Sequence, residues 1–305
     1  MTDLAHLHPD LRPLIASSTR DRIRAVKHDR WVSYPKADET LDLLFDLLDT
    51  PKRERMPGAI IWADTNNGKT SIIKRFERLN PPDDNAEGEA IRYPILRLQL
   101  PEKPDLRSFY TDVLKKMNAI YRSSNQIGNL RDQAIRLLEE CNVEMIIIDE
   151  LHNVLLASEK AQEQIFVMIR YLINELRIPI VCAGLDTATI ALQTDSQLAN
   201  RFDAFELPYW ENNLEYRKFI HNYSKVLPLA EDSKIAQSDL ANLIFNKTNA
   251  TVGEFVKLLR KSAIWAIRNK QEVINERAIQ ECGYIHPDER RNAVELLAAK
   301  KMHSI

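Results

Sequence analysis

Between Ala59 and Leu79 the chain passes from a short apolar run, Ala59-Ile60-Ile61-Trp62, through Asp64-Thr65-Asn66-Asn67-Gly68-Lys69-Thr70 into Ile72-Ile73-Lys74-Arg75-Phe76. The β-branched run reads as a buried strand, and the spacing of apolar residues after Thr70 reads as a helix. A Gly-Lys-Thr triplet alone arises by chance in roughly one chain in six of this length, so the strand and helix around it carry the signal. In that setting backbone N–H groups at the start of the helix face the loop and hold an anion, above all a phosphate. Asp64, Thr65, Asn66, Asn67 and Gly68 form the cradle, Lys69 reaches the outer phosphates of a nucleotide, and the Thr70 hydroxyl binds Mg²⁺. The usual pattern is G-x-x-x-x-G-K-[ST]; here Ala63 stands in place of the first glycine. Only 7 of the 305 residues are Gly, against roughly 20 in ordinary usage, so Gly68 marks a place where the backbone needs one.

A third strand-like run, Glu144 to Ile148, stops at Asp149-Glu150. Acidic residues also follow strands in ordinary turns, so the pair gains meaning from the apolar run before it and from its order after Lys69. Asp149 at the strand end is placed to hold Mg²⁺ through water, and Glu150 to polarise an attacking water. Two carboxylates there favour hydrolysis over transfer to a second substrate. A fourth strand, Ile178 to Ala183, leads to Gly184-Leu185-Asp186-Thr187, where ligands bind in doubly wound sheets. Two readings stay open there: Asp186 or Thr187 orients a water at the terminal phosphate, or the pair is a turn and helix N-cap. Arg201 is likewise either a surface arginine or a finger that stabilises charge on a neighbouring subunit's nucleotide.

The remaining pattern sets the architecture. Arg92 to Leu100 alternates like a second strand, and Ala204 to Leu207 suggests a short fifth. Helical spacing marks about Leu106–Tyr121, Leu130–Cys141 and Glu159–Leu176. After Pro208 no β-rich run appears, and helical patterns occupy about Glu211–Val226, Ser238–Lys247, Val252–Asn269 and Asn275–Cys282. Strand–helix alternation followed by helices alone predicts an α/β core with a parallel sheet and then a small all-helical domain. The expected segments are 1–30, 31–207, 208–285 and a tail at 286–305. Residues 20–30 carry a local excess of Arg and Lys and read as a solvated helix.

Charge excludes a global polyelectrolyte role. With 42 basic and 44 acidic residues the net charge is −2, so any nucleic-acid contact must come from local patches. Three scattered Cys without a CxxC pair, no secretory leader and no membrane-length apolar stretch lead to the expectation of a cytoplasmic protein without a membrane.

Taken together, DTNNGKT, IIIDELHNVL and IVCAGLDTATIALQTDSQLANRFDAFELPYW resemble the AAA+ ATPases, and within them the TniB/TnsC group of transposition regulators. WVSYPKADETLDLLFDLL and ATVGEFVKLLRKSAIWAI extend the likeness from about Trp31 to Ile285. The resemblance implies a P-loop NTPase core with a helical lid, ATP and Mg²⁺ as ligands, and slow, assembly-coupled hydrolysis to ADP and phosphate. It also implies a ring or helical filament of identical subunits on double-stranded DNA, bound without sequence preference. Delivery of a DDE transposase (TniA-like) and contact with a TniQ-like targeting protein follow from the same likeness. It gives Lys69, Thr70, Asp149 and Glu150 their roles, and makes Arg201 a finger acting in trans. In this group DNA lies against loops after the second strand and the following helix, which here hold Lys103, Arg122 and Ser123. Lys257, Arg260, Lys261 and Arg268 form another basic stripe at helical spacing. AAA+ lids often carry an Arg three residues after a Gly; that position after Gly253 is Val256, so this contact is absent or displaced to Lys257. Rival readings are a helicase loader or IstB-like ATPase, and a nucleotide switch that recruits proteins without DNA.

Overall fold

A computed structural model describes residues 4–86, 88, 90–122 and 124–292. The chain divides into two compact units, one of residues 36–208 and one that joins 1–35 with 209–305.

The first unit is built on five parallel strands: β1 (Gly58–Trp62), β2 (Ile95–Gln99), β3 (Met145–Asp149), β4 (Ile180–Gly184) and β5 (Phe202–Glu206). Their order across the sheet is β2-β3-β4-β1-β5. All five residues of β3 and of β4 are buried, as are the first four of β1, because helices cover both faces of a central parallel strand. At the edges the pattern breaks: β2 carries Arg97 and Gln99, and β5 carries Asp203 and Glu206. The helices are α2 (Pro35–Leu48), α3 (Lys69–Leu79), α4 (Leu106–Lys116), α5 (Ile127–Glu140), α6 (Glu159–Leu176), α7 (Asp186–Gln193) and the single turn α8 (Ser196–Ala199), with α1 (Thr19–Lys27) preceding them in the other unit. Their starts are set locally. Asp105 accepts from the Ser108 amide at 2.8 Å to open α4, and Ser158 opens α6 by accepting from Ala161. Side chains from one face of the sheet and from α4, α5 and α6 make one core that includes Leu96, Leu114, Ile148, Ile169 and Cys182.

The order of the strands decides where a ligand goes. From β1 the chain travels to the far edge and returns through β2, β3 and β4, then passes to the other side of β1 as β5. The connections that follow β1 and β4 thus leave in opposite directions, and a crevice opens at the carboxyl ends of these two strands.

The second unit contains α1 and then α9 (Leu214–Ser224), α10 (Ser238–Asn246), α11 (Val252–Arg268) and α12 (Glu276–Glu281). Its centre is aromatic: Tyr216, Phe245 and Phe255 stack on one another at 4.8–6.0 Å between ring centroids, and the Tyr216 hydroxyl donates to Ala241 O at 2.9 Å. Trp210 joins this cluster through Phe255 at 6.2 Å, and Tyr34 and Phe219 pack against Trp210. The helix anticipated near residues 20–30 is present as α1, but it is not wholly solvated: Arg22, Ala25 and Val26 are buried. Arg22 donates to Pro228 O at 2.8 Å and grips the Glu272 carboxylate with both terminal nitrogens. An arginine with that many fixed partners tolerates burial that its sequence position alone does not foretell. Of the basic stripe on α11, Arg260 is engaged by Asp29, His28 O and the Tyr223 hydroxyl, and Lys261 by Gly283 O.

Candidate nucleotide site

β1 ends at Trp62, and Ala63 is still held to the sheet, its amide donating to Gly184 O at 3.2 Å. From there the chain must turn sharply to start α3. It does so through Asn66 at φ 66° and Gly68 at φ 94°, both left-handed. Gly68 is thus the residue whose lack of a Cβ lets the helix begin where it does. No side chain caps α3, so the N–H groups of its first turn face the loop, where an anion satisfies them.

Asp64, Thr65 and Asn66 are exposed on the loop, whereas Asn67 and Lys69 are buried. The Asn67 amide donates to Leu207 O and Pro208 O, both at 2.9 Å, pinning the loop to the chain leaving β5. Lys69 Nζ donates to Ala63 O at 2.5 Å and Asp64 O at 3.0 Å. Burial holds the Lys69 pKa below the ordinary lysine value, an effect that Glu150, Asp149 and Asp64 partly oppose. Ala63 is only 1% exposed and does not border the cleft described below.

Asp149 ends β3 and is 1% exposed. The Thr70 hydroxyl donates to Asp149 Oδ2 at 3.2 Å, so the two motifs meet across the strand ends. A hydroxyl and a buried carboxylate are hard oxygen donors of the kind Mg²⁺ takes alongside phosphates and water. Arg97, on β2, supports the same carboxylate from 4.0 Å and pairs with Glu77 of α3 at 2.8 Å.

Glu150 has a left-handed backbone, φ 59° and ψ 36°, and leads into a 3₁₀ turn at Leu151–Leu156. Its carboxylate lies 3.3 Å from His152 Nε2. The other ring nitrogen, Nδ1, accepts from the Leu185 amide at 3.4 Å. These groups line a cleft of ≈ 240 Å³ bordered by Thr65 to Ser71, Glu150, His152 and Leu185. That lies just under the ~300–1,000 Å³ of sites that enclose a whole small ligand, which suits the polyphosphate part of a nucleotide. His152 and Arg97 were not singled out by the motifs. The His two residues past Glu150 was a readable signal; the pairing of Arg97 with Asp149 depends on β2 lying beside β3.

Asp186 begins α7 next to Leu185, is exposed, and accepts from the Thr187 amide at 2.7 Å, a helix-start contact. Arg201 is elsewhere. It precedes β5, where its carbonyl accepts from Gly58 N at 2.9 Å, and its guanidinium donates to Asn174 at 2.8 Å. Since β1 and β5 run parallel from that point, the cleft lies a strand length away, roughly 15 Å at ~3.3 Å per residue. Arg201 does not reach its own cleft. Lys103 and Arg122 are exposed, in the loop after β2 and the turn after α4. Arg107 of α4 donates to Asn125 O at 2.9 Å, folding that turn back toward the start of α4, near Lys103. Ser123 lies outside the described residues.

The model of the bacterial TniB protein family matches residues 22–212, well over half of the chain. A search among curated proteins gives no match. Solved structures share the fold at low identity. Cdc6p from Pyrobaculum aerophilum is 13% identical with a TM-score of 0.64, covering 85% of this chain and 69% of its own. The ORC1 protein of Aeropyrum pernix, solved in complex with DNA, is 12% identical with a TM-score of 0.62, covering 85% and 68%. A single-residue variant of RuvB from Thermotoga maritima is 16% identical with a TM-score of 0.50, covering 81% and 67%. They show that the chain shares its fold with these proteins over more than four fifths of its length. Among the described residues no helix is long and apolar enough to cross a membrane.

Proposed function

Because this chain belongs to the TniB family, we propose that it is an ATP-hydrolysing regulator of DNA transposition that assembles in many copies on target DNA and there engages a DDE transposase. The observation that carries the reading is the meeting of Thr70 and Asp149 at the strand ends, beside a buried Lys69 and the paired Glu150, in a chain of this family. In this reading Lys69 neutralises the outer phosphates of ATP, Thr70 and Asp149 hold Mg²⁺, and Glu150 accepts the proton of the attacking water. Bound ATP with Mg²⁺ supplies the phosphoryl group and the charge that joins neighbouring copies. Asp186 orients water from the α7 start, and Arg201 serves the cleft of an adjacent copy.

Exposed Lys103 and Arg122 at the carboxyl end of the sheet contact DNA phosphates, with Ser123 as a neighbouring hydroxyl donor. Contacts of that kind are independent of sequence and weaken with salt. A TniQ-like protein is the further partner that family membership suggests. Electron microscopy of the protein with ATP, Mg²⁺ and duplex DNA tests the proposal: rings or filaments on DNA are expected, absent without ATP. Lys69→Ala abolishes them, and Glu150→Gln forms them but does not turn over ATP. Assembly that ignores nucleotide, or no assembly at all, sinks the reading.

A further inference from the structure

The excess of cations at residues 20–30 is only partly used by the fold. Arg22 is buried against Pro228 and Glu272, and with Ala25 and Val26 it seats α1 on its unit. Arg20, Arg24 and Lys27 are exposed, and among the described residues no carboxylate pairs with any of them. At 3.6 residues per turn the three fall within about 60° of one another, along a line about 10 Å long. The Asp21 carboxylate lies off that line and accepts from the Ser18 hydroxyl at the helix start, at 2.7 Å. Arg24 and Lys27 suit the helix end, but Arg20 stands in the first turn, where the helix dipole disfavours a cation. Arg20 with Arg24, and Arg24 with Lys27, also set like charges four and three residues apart, which weakens a helix. Charge that neither the fold nor the helix calls for marks a surface for an outside anion. α1 packs antiparallel to α11: Arg260 meets His28 and Asp29 past the end of α1, and Glu272, just past α11, meets Arg22. Exposed Arg268 and Lys270 thus lie near the start of α1, at the Arg20 end of the line.

We propose that this face of α1 is a docking surface for duplex DNA, on which Arg20, Arg24 and Lys27 meet backbone phosphates. The inference rests on the reading that the protein works on DNA, and adds a contact on the helical unit to those of Lys103 and Arg122. One strand of B-DNA advances about 3.4 Å per phosphate, so a line of that length spans about three. A protein partner would need an apolar centre to its interface, and α1 exposes no large apolar side chain. Phosphate contacts need only donors and cations, and they fix the protein on the duplex without reading sequence.

Anisotropy titrations of the full chain with a fluorescent duplex, over a range of salt, test the surface. The triple variant Arg20→Gln, Arg24→Gln, Lys27→Gln is expected to bind roughly tenfold or more weakly, and to flatten the slope of log K against log salt by about 2–3. Each single substitution takes about a third of that change in slope. The thermal midpoint of the triple variant should match or exceed the parent's, since like charges are removed, which separates lost contacts from a lost fold. Lysine at all three positions retains the slope. A triple variant with the parent's slope, while Lys103→Ala with Arg122→Ala weakens binding, overturns the α1 surface alone. A parent that binds no duplex at low salt overturns it together with the reading it rests on. Polyglutamate binding that is lost in the triple variant while duplex binding stays intact assigns the face to an acidic protein, and overturns the proposal as well.

Discussion

The ammonium group of Lys69 donates to two backbone carbonyls and lies among three carboxylates, yet burial outweighs them and lowers its pKa. The consequence for stability has a definite sign. Between the depressed folded value and the ordinary 10.5, the unfolded chain holds more protons than the folded one, so stability rises with pH across that window. Below the window the buried charge is a constant cost. Lys69→Met, which keeps the length and drops the charge, is therefore expected to stabilise the nucleotide-free protein by about 1 kcal/mol at neutral pH while removing ATP binding. The advantage shrinks as pH approaches the ordinary lysine value. Denaturation midpoints at neutral and alkaline pH, beside nucleotide-binding titrations, check both halves; a variant weaker than the parent would mean that the two carbonyl bonds outweigh desolvation. Function at this residue runs against stability, as expected of a charge placed for a ligand rather than for the fold.

At the scale of elements, α1 shows what a local pattern conveys and what it leaves out. Its buried residues Arg22, Ala25 and Val26 are spaced by three and one, which is helical, but its key contact is to Glu272, 250 positions away. Arg22→Ala should destabilise this unit by about 2–3 kcal/mol at neutral pH, the cost of an unpaired, partly buried carboxylate. Arg22 holds the Glu272 pKa below 4.5, so the pair contributes above that value and fades as pH falls through the lower folded one. Denaturant midpoints of parent and variant should therefore converge in acid, with the Pro228 bond leaving a pH-independent remainder. A gap that does not narrow would assign the whole effect to that bond and to packing.

The strands were legible because buried parallel strands are continuous β-branched runs, and Glu144 to Ile148 led straight to β3. The edge strand β5 was the faintest because Phe-Asp-Ala-Phe-Glu mixes polar residues into the run. The loop and strand-end residues of the cleft were legible because a phosphate site dictates their type and order. Arg97, the Asn67 anchor and the contact of His152 with Leu185 were not, since each of those partners is chosen by strand order, which no local window contains.

For the whole molecule the telling separation is between Arg201 and the cleft. One chain presents its phosphate loop at the carboxyl end of β1 and Arg201 at the opposite end of the neighbouring β5. If Arg201 takes part in hydrolysis, it acts on another copy, and each working site is shared by two chains. Two inactive variants then complement each other. Glu150→Gln assembles without a competent base but offers its arginine, whereas Arg201→Ala has the base and lacks the finger. In an equimolar assembly, about a quarter of the interfaces join a sound cleft to a sound arginine, because neighbours are drawn at random in a head-to-tail array. ATP turnover by the mixture should therefore recover to about a quarter of the parent rate with DNA present, while each variant alone stays silent. Activity that equals the mean of the two variants would place the arginine outside the reaction. The donation from Arg201 to Asn174 supplies a control: Asn174→Ala frees the guanidinium without removing it, so that variant stays active where Arg201→Ala does not.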